Sequence, residues 1–499
     1  MYGKKIGAIL FTGALMLSST AFAAESMSMS LEKAIGLALG NNHTITQYAE
    51  DRESARWGLS ATRRNSGLRL SWNSMTGYIG GKYYRPNQDY YSEYHSYYGD
   101  AEFERNYNFG RDLTETPPYH KESSNTFTLS MPLYTGGRLE NQIEGAEYAL
   151  NSADLNLEYA RQYIRYQTAE AYYQVLQRNA EIQVQQEAVN YLQSHLDTIQ
   201  IQYEVGTVAK ADVLSTAVQL ADYKRQLNSA WGNYESAVAT LNNVMGIPVD
   251  TALVINDELD GTPYAVSEDE CIAYALEHRP DGLAAEYEVR RATAQVGVTK
   301  SAYRPNVTAV ARGIVVGETP FESNHNNQEY WQLGLSIDWN IFDNGITAAQ
   351  VNQAKATERR AESQRLQRID QIKLDVHNAY IAILTATKNL EVSSAAVSEA
   401  ESAYEIAKVR YIEGVDTNLN VMDAQTKLAQ AKNNYYAALY NYNVSKAKME
   451  QVIGVPVQID ALSYYTAVAE GKTSPKALEE SDITLIYSDG EVFEASNND

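Results

Sequence analysis

The chain contains an internal duplication whose two copies stay in register, without gaps, for more than a hundred residues. Landmarks of the first copy recur 208 residues later in the second (residue 134 corresponds to residue 342). The matched pairs are Tyr134–Gly137 with Phe342–Gly345, Tyr203–Gly206 with Tyr411–Gly414, and Gly246–Pro248 with Gly454–Pro456. A repeat that holds its register over this length predicts two similar structural units in one chain.

The sequence ahead of this block also repeats, but at a different spacing. Ser30–Ile35 corresponds to Ser267–Ile272, 237 residues later, so the first copy holds 29 additional residues. The excess lies in residues 78–122, where ten tyrosines stand among Gly, Asn, Asp and Pro with almost no aliphatic side chains. Such a segment cannot supply a core and is predicted to be a long surface loop. We therefore predict a first repeat at 24–266 and a second at 267–456.

Two long windows, residues 133–247 and 321–455, contain no proline. Proline and glycine are the main residues that end helices, so their scarcity predicts very long helices. Apolar side chains recur at every seventh position, which is the pattern of a coiled-coil seam. Gly206 and Gly414 interrupt the pattern, so each repeat is predicted to hold a helical hairpin that turns near its glycine. The heptad rows are Ile143, Leu150, Leu157, Ile164 and Ala171; Ile182, Val189, Leu196 and Tyr203; Val213, Leu220, Leu227, Tyr234 and Leu241; and Val421, Leu428, Tyr435, Tyr442 and Met449.

Four shorter segments alternate apolar and polar residues, as strands with one apolar face do. The clearest is 331–341, in which every odd-numbered residue is large and apolar; 127–133 and 68–73 alternate likewise, and 307–316 does so more weakly. Strands of roughly ten residues with one apolar face suit a membrane barrel, although they also suit a soluble sandwich. Because the smallest single-chain barrels have about eight strands, a barrel made from four strands per chain implies an oligomer.

The two ends of the chain predict export and an acidic tail. A pair of lysines precedes an uncharged run and an Ala21–Ala23 cleavage site, which is the pattern of a secretory signal peptide over residues 1–23. No later segment is apolar for the length that a spanning helix needs, so an exported chain that enters a membrane must use a closed β-barrel. Residues 457–499 are acidic and lack periodicity, which predicts a periplasmic tail.

Composition excludes several functional classes. The formal net charge of −22 argues against nucleic-acid binding, where basic patches dominate. The seven histidines are scattered, and Cys271 is the only cysteine, so no metal-binding spacing is present. No phosphate-binding loop pattern appears either. We therefore predict no catalytic residues, no cofactor and no metal, and His195 in particular is interpreted as a packing or surface residue.

The order and spacing of these motifs resemble the TolC family of outer-membrane efflux proteins over residues 30–456. Each repeat is composed of a helix, a strand, a loop, a strand, a Tyr/Phe-x-x-Gly motif, a long helix, a Tyr-x-x-Gly turn and a returning helix that ends at Gly-x-Pro. The resemblance implies all-α coiled-coil hairpins plus membrane β-strands, in a homotrimer with a twelve-stranded barrel in the outer membrane and a helical tunnel in the periplasm. It also implies a periplasmic adaptor and an inner-membrane pump as partners, so the chain would be a passive exit duct for drug efflux or type I secretion.

The same resemblance implies a gate where the hairpins turn. Its candidate residues are Tyr203, Gly206, Asp212, Tyr411, Gly414, Asp416, Asn420 and Asp423. Tyr411 matches the family tyrosine of the gate, whereas Asp416 stands where the family has an arginine. Asn420 and Asp423 occupy the two aspartate positions, and Asp212 is the equivalent acid of the first repeat. Rings of acidic side chains in a pore favour cations. The alternative is that Asp212 and Asp423 are ordinary solvated helix residues.

An alternative function from another class is an exported coiled-coil stalk or adhesin that exposes the tyrosine-rich loop. Heptads and surface exposure would suit it equally. The amphipathic strands and the duplicated hairpin favour a channel, because a stalk needs neither.

Overall fold

The computed structural model describes residues 27–80, 119–259, 261–317 and 328–457, together with two short strand segments near the C-terminus. Long helices dominate this part of the chain, and within it no helix is both long and apolar enough to cross a membrane. The helices are α1 (Leu31–Asn41), α2 (His43–Arg64), α3 (Arg138–Glu204), α4 (Lys210–Met245), α5 (Glu268–His278), α6 (Pro280–Lys300), α7 (Ile346–Ile412) and α8 (Asn418–Ile453). The strands are β1 (Met27–Ser28), β2 (Arg69–Gly80), β3 (Tyr119–Tyr134), β4 (Leu253–Val254), β5 (Asn306–Gly317), β6 (Gln328–Asp338), β7 (Leu485–Ile486) and β8 (Val492–Phe493).

Each repeat contains one hairpin of two long helices, α3 with α4 and α7 with α8. The long helices begin at equivalent positions and are capped by equivalent side chains. Thr135 accepts a hydrogen bond from the backbone N–H of Leu139 at 3.1 Å, and Asp343 accepts one from the N–H of Thr347 at 2.7 Å. Side-chain oxygens at this position satisfy N–H groups that have no partner within the helix. The heptad rows predicted to form the seams are largely buried, for example Leu150, Leu157, Ile164 and Ala171 on α3.

Four strands form one antiparallel sheet in the order β2-β3-β5-β6. Residues directly opposite each other share a face, and one such row runs through Trp72, Phe127, Gly313 and Trp331. A parallel row runs through Leu70, Leu129, Ala311 and Leu333. The large apolar positions of β2, β3 and β6 therefore lie mainly on one face of the sheet, and many of them are exposed in the single chain, whereas β5 also places Val310 and Ile314 on the other face.

The sheet corrects the ends of the predicted loop at 78–122. β2 continues to Gly80 and β3 begins at Tyr119, so the first and last residues of that segment are paired strand residues. Backbone pairing across two strands overrode the composition on which the loop prediction was based. Residues 81–118 lie outside the described residues, as do the predicted signal peptide at 1–23 and most of the tail at 457–499. The division of the chain into these segments and two repeats stays a prediction.

The short helices of the two repeats dock on the long ones in the same way. Asn42, between α1 and α2, donates from its amide to the carbonyl of Val244 at 2.9 Å. Its equivalent, Arg279, donates to the carbonyl of Val452 at 3.4 Å, and Val452 lies 208 residues after Val244. The two repeats therefore form equivalent contacts, although one partner recurs after 237 residues and the other after 208. In each, a side chain at the helix break binds the last turn of the returning helix.

The glycine after each returning helix leaves no room for a side chain. Gly454 has φ +79°, and a Cβ there would lie 2.8 Å from the Cα of Arg279. Gly246 has φ +69°, and its Cβ would lie 2.8 Å from the carbonyl oxygen of Asn41. Gly206, at a hairpin turn, has a similar φ of +83° but open space around it.

We expect Gly454→Ala to destabilise the protein more than Gly206→Ala. Both substitutions carry the strain of a left-handed backbone, about 1–2 kcal/mol, but only the first also forces backbone atoms apart, which adds about 1–3 kcal/mol. Thermal unfolding of the purified protein measures the difference. Equal shifts in Tm would show that the contact with Arg279 relaxes freely.

Candidate functional site

The tips of the two hairpins have the same backbone construction. Gly206 has φ +83° and Gly414 has φ +74°, in the left-handed region that favours glycine. The N–H of Thr207 donates to the carbonyl of Gln202 at 2.9 Å, and the N–H of Val415 donates to that of Arg410 at 3.0 Å. Hydrogen bonds of this kind close a helix end on a glycine. The two glycines therefore allow each long helix to stop and its partner to return.

Tyr411 links the two hairpins above the turns. Its hydroxyl donates to the side-chain oxygen of Gln202 at 3.0 Å, which joins α7 to α3. Burial, and secondarily the negative charge of Asp212, raise the pKa of Tyr411. The phenol is therefore protonated and able to donate at neutral pH. Tyr203, its equivalent in the first repeat, lies partly exposed in the last turn of α3.

Asp416 is held by neighbours within its own turn. Its carboxylate accepts hydrogen bonds from the side chain of Asn420 and from the backbone N–H of Thr417, and it lies 3.7 Å from Arg410. The hydrogen bond from Asn420, followed by that from Thr417, holds the pKa of Asp416 below its usual range. The basic side chain beside Asp416 is therefore Arg410, in the last turn of α7.

The other two acidic candidates differ from each other in their surroundings. Asp423 is exposed on α8 and pairs with Lys427, one turn further on, at 2.7 Å. Asp212 is half-buried in the first turn of α4, where its backbone carbonyl accepts hydrogen bonds from neighbouring side chains. The structure therefore places Asp212 at the junction between the hairpins and Asp423 on an exposed face of one of them.

A polar cluster that the sequence analysis did not identify joins the hairpins at the same level. His195 on α3 lies 2.8 Å from Asn418 on α8, through the imidazole Nε2 and the amide Oδ1. Asn418 in turn donates to the hydroxyl of Thr216 on α4 at 3.0 Å. The ring of Tyr411 on α7 stands edge-on to His195 with centroids 5.3 Å apart. One group of side chains thus contacts all four long helices.

A signal for this cluster was present in the sequence. Ala188, His195 and Gln202 follow one another at intervals of seven on α3, so they form a heptad row beside the apolar seam. Ala188 and His195 are buried, and Gln202 bonds to Tyr411. A polar residue in register with a seam indicates a contact with another helix. The interpretation of His195 as a packing or surface residue made no use of this register.

No cluster of three or more potential metal ligands occurs in the part of the chain that the structure describes. A cavity of about 440 Å³ lies between α3 and the end of α8, lined by Arg165, Glu450, Tyr166, Tyr172 and Asp257 among others. Arg165 and Glu450 form an ion pair across it, and Tyr172 donates to Asp257 at 2.5 Å. Arg165, Glu450 and Asp257 are therefore already engaged by partners within the chain.

Known proteins resemble this chain in sequence and in fold. The sequence profile of a family described as "Outer membrane efflux protein" matches residues 34–247 and 271–455, which correspond to the two repeats. Outer membrane protein TolC of Escherichia coli (strain K12) is 24% identical over 342 residues, covering 65% of this chain and 68% of that protein. The probable efflux pump outer membrane protein SepC of Pseudomonas putida is 26% identical over 269 residues. That alignment covers 52% of this chain and only about half, 54%, of SepC.

The fold is also similar to that of solved channels. The Campylobacter jejuni CmeC outer membrane channel superposes with a TM-score of 0.69 at 16% sequence identity, covering 94% of this chain and 98% of that one. This similarity concerns the fold. It confirms the predicted architecture of long helical hairpins carried with strands in a duplicated, TolC-like arrangement.

Proposed function

Because the chain belongs to the outer membrane efflux protein family, we propose that three copies form the exit duct of a tripartite efflux or type I secretion system. The protein is an outer-membrane efflux channel with its long helices in the periplasm. In our proposal a periplasmic adaptor and an inner-membrane pump deliver substrates to the tunnel, and the chain itself catalyses no reaction. The alternative of an exported stalk or adhesin is not favoured, since the matched proteins are efflux channels.

The observation that supports the assembly is that the first repeat contacts the second within the chain, whereas the equivalent contacts from the second repeat to a first repeat are not made among the residues that the structure describes. β3 of the first repeat pairs with β5 of the second, and α3 of the first packs against α8 of the second. When each element is replaced by its equivalent in the other repeat, these two contacts become a pairing of β6 with β2 and a packing of α7 against α4. β2 and β6 lie at opposite edges of the described sheet, so a neighbouring copy would supply their partners. Edges left unpaired in lipid would be costly, which favours closure into a ring.

Burial of the two long helices supports the same assembly. α3 and α7 each have 67 residues, but α3 buries 25 of them and α7 buries eight. Val184 on α3 is 4% exposed, whereas its equivalent on α7, Val392, is 69% exposed. Leu176 and Leu384 show the same contrast, 6% against 45%. The exposed apolar face of α7 thus corresponds to a face that α3 buries within the chain, and a second copy of α4 is the partner that the repeat relation assigns to it.

Cross-linking between copies tests this interface. Glu187 on α3 and Lys432 on α8 form an ion pair at 3.0 Å, and their equivalents are Ala395 on α7 and Lys224 on α4. In a Cys271→Ser background, we expect Ala395→Cys with Lys224→Cys to give covalent trimers when a short bismaleimide is added to membranes. The two single-cysteine variants are the controls and should stay monomeric on denaturing gels. A double-cysteine variant that stays monomeric after treatment, although both of its thiols react with a maleimide dye, would contradict the interface.

The acidic residues at the tip are proposed to give the tunnel mouth a cation preference. In a trimer, Asp212, Asp416 and Asp423 would contribute three rings of carboxylates, and such rings attract cations. Asp423 and Asp416 each have a basic neighbour, so their charges are partly offset. We expect Asp212→Asn with Asp423→Asn to weaken cation preference, and the triple variant with Asp416→Asn to lose most of it. Reversal potentials across a salt gradient in planar bilayers measure the change.

The effect should be largest at low salt, because the Debye length is about 30 Å at 0.01 M. Asp250→Asn, in the exposed segment that follows α4, removes the same charge far from the tips and is the matched control. Unchanged selectivity in the triple variant would show that these carboxylates face solvent outside the pore.

A further inference from the structure

The cluster of His195, Asn418 and Thr216 lies where the two hairpins of one protomer meet, beside the link between Tyr411 and Gln202. We propose that these three side chains form a latch that holds the hairpins together at the closed tip, and that protonation of His195 releases it. His195 acts here as a positioning residue, since it sets the position of α8 relative to α3. The inference rests on the proposed function, in which the hairpin tips form the gate.

The hydrogen bonds fix the orientation of the Asn418 amide. Its nitrogen faces the hydroxyl of Thr216 at 3.0 Å and the backbone carbonyl of Asp212 at 3.4 Å. Thr216 already donates to that carbonyl at 2.8 Å, so its hydroxyl accepts from Asn418. A flipped amide would set its oxygen against the carbonyl of Asp212. The Asn418 oxygen therefore faces His195, and the imidazole must carry its proton on Nε2 to donate to it.

Neutral imidazole completes this chain of donors and acceptors, and a second proton would go to Nδ1. The resulting cation would lie among aromatic rings. Tyr191 stacks on His195 with centroids 5.8 Å apart, Tyr411 stands edge-on to it, and Tyr404 lies edge-on to Tyr191. Burial raises the pKa of both Tyr191 and Tyr404, so these phenols bring no negative charge to the imidazole.

Within the part of the chain that the structure describes, no carboxylate lies near enough to His195 to act as its counterion. On α7, Lys408 lies over the ring of Tyr404 at 5.8 Å and also pairs with Glu405. Burial and, secondarily, the carboxylate of Asp212 on α4 raise the pKa of Tyr411, and the backbone carbonyl of Asp212 accepts a hydrogen bond from Asn418. On α8, Asn418 is the first helical residue, and the partial positive charge of a helix N-terminus opposes a nearby cation.

These surroundings disfavour the imidazolium form. Burial lowers the pKa of His195, and the hydrogen bond with Asn418 offsets this only in part. A histidine whose pKa is lower in the packed state than in the open state stabilises the packed state fully above its ordinary pKa of about 6.5. That contribution is lost as the pH falls below this value. The latch is therefore intact at neutral pH and weakens in mildly acidic conditions, which would open the tip.

Hydrogen exchange with mass spectrometry on the detergent-solubilised protein tests the latch without relying on conduction. Peptides covering 191–216 and 404–428 are compared at pH 7.5 and 5.5 after correction for the intrinsic exchange rate. An imidazole that stays neutral in the packed state and has its ordinary pKa of about 6.5 in the open state changes the opening equilibrium by about tenfold between pH 7.5 and 5.5. We expect protection at the tip of the unmodified protein to fall about tenfold at the lower pH.

Two variants should abolish this response by different routes. His195→Gln keeps an amide donor for Asn418 but cannot titrate. Asn418→Asp supplies a carboxylate that holds the imidazolium form, so the latch persists in acid. His377→Gln, at a histidine paired with Glu268 far from the tip, is the matched control and should respond like the unmodified protein.

Each outcome decides the matter. Protection that does not change with pH in the unmodified protein, or that falls equally in His195→Gln, would overturn the latch. Bilayer conductance is then measured over the same pH range. If the latch depends on pH but the protein conducts no ions, the proposed channel is contradicted and the latch is not. If hydrogen exchange shows the latch but conductance does not change with pH, the latch does not gate the pore.

Discussion

Replacing Arg279 with methionine is expected to destabilise the second repeat by about 3–5 kcal/mol, as does breaking a buried ion pair by removing one partner. Arg279 is 4% exposed at the break between α5 and α6. Its guanidinium lies 2.8 Å from Asp281 and 2.8 Å from Asp375 on α7, and it donates to the carbonyl of Val452. Methionine fills a similar volume but leaves the two carboxylates without this partner.

The first repeat offers a matched comparison, because the equivalent position holds Asn42. Asn42→Ala removes two neutral hydrogen bonds, the one to the carbonyl of Val244 and the one from the backbone N–H of Thr44, and is expected to cost about 1–3 kcal/mol. Local opening free energies from hydrogen exchange in α6 and the end of α8 measure the effect at the site. A triple variant with Asp281→Asn and Asp375→Asn should recover most of the loss from Arg279→Met. No recovery would mean that the arginine acts through its packing and not its charge.

A second large effect is expected on the apolar face of the sheet. Leu335 on β6 is 63% exposed in the single chain and shares its face with Ala309 on the neighbouring strand. If this face meets lipid, Leu335→Arg should cost about 2–4 kcal/mol per chain near the bilayer midplane. Three copies would multiply the penalty, so we expect a large drop in assembled, heat-resistant protein in the outer membrane.

Ser336 provides the control at the next position of the same strand. Successive side chains point to opposite faces, so Ser336→Arg adds the same charge on the other side of the sheet. Assembly of this variant should stay close to that of the unmodified protein. Urea unfolding from lipid vesicles gives the free-energy difference between the two variants. Equal losses, or a larger loss for Ser336→Arg, would show that the face carrying Leu335 does not face lipid.

Sequence reasoning predicted the long helices and their turns because these depend on local properties. Absence of proline, heptad spacing and the glycines at 206 and 414 act within a few residues, and the helices of the structure end within a few residues of those glycines. The strand at 307–316 was predicted only weakly, since Val310 and Ile314 break the alternation. Pairing with β3 and β6 on both sides nevertheless forms β5 over Asn306–Gly317.

Contacts between the repeats could not be read from the same patterns. His195 and Asn418 are 223 residues apart, and their meeting depends on which faces of α3 and α8 oppose each other. The surroundings of Asp416 are a different case, because Arg410 and Asn420 lie close in sequence, but their geometry depends on the shape of the turn. Heptad rows identify which residues lie on the packing face of a helix. Only the packed structure shows which other helix lies against that face.

We expect the chain to complete its sheet and its helical ring only as a trimer in a membrane. The most direct measurement is the mass of the detergent-solubilised protein by native mass spectrometry, followed by insertion of that same species into planar bilayers. We expect a mass of three chains and ion conductance from the trimeric fraction alone. A monomer that inserts and conducts on its own would contradict the account, because one chain has only the four described strands of this sheet and two open edges.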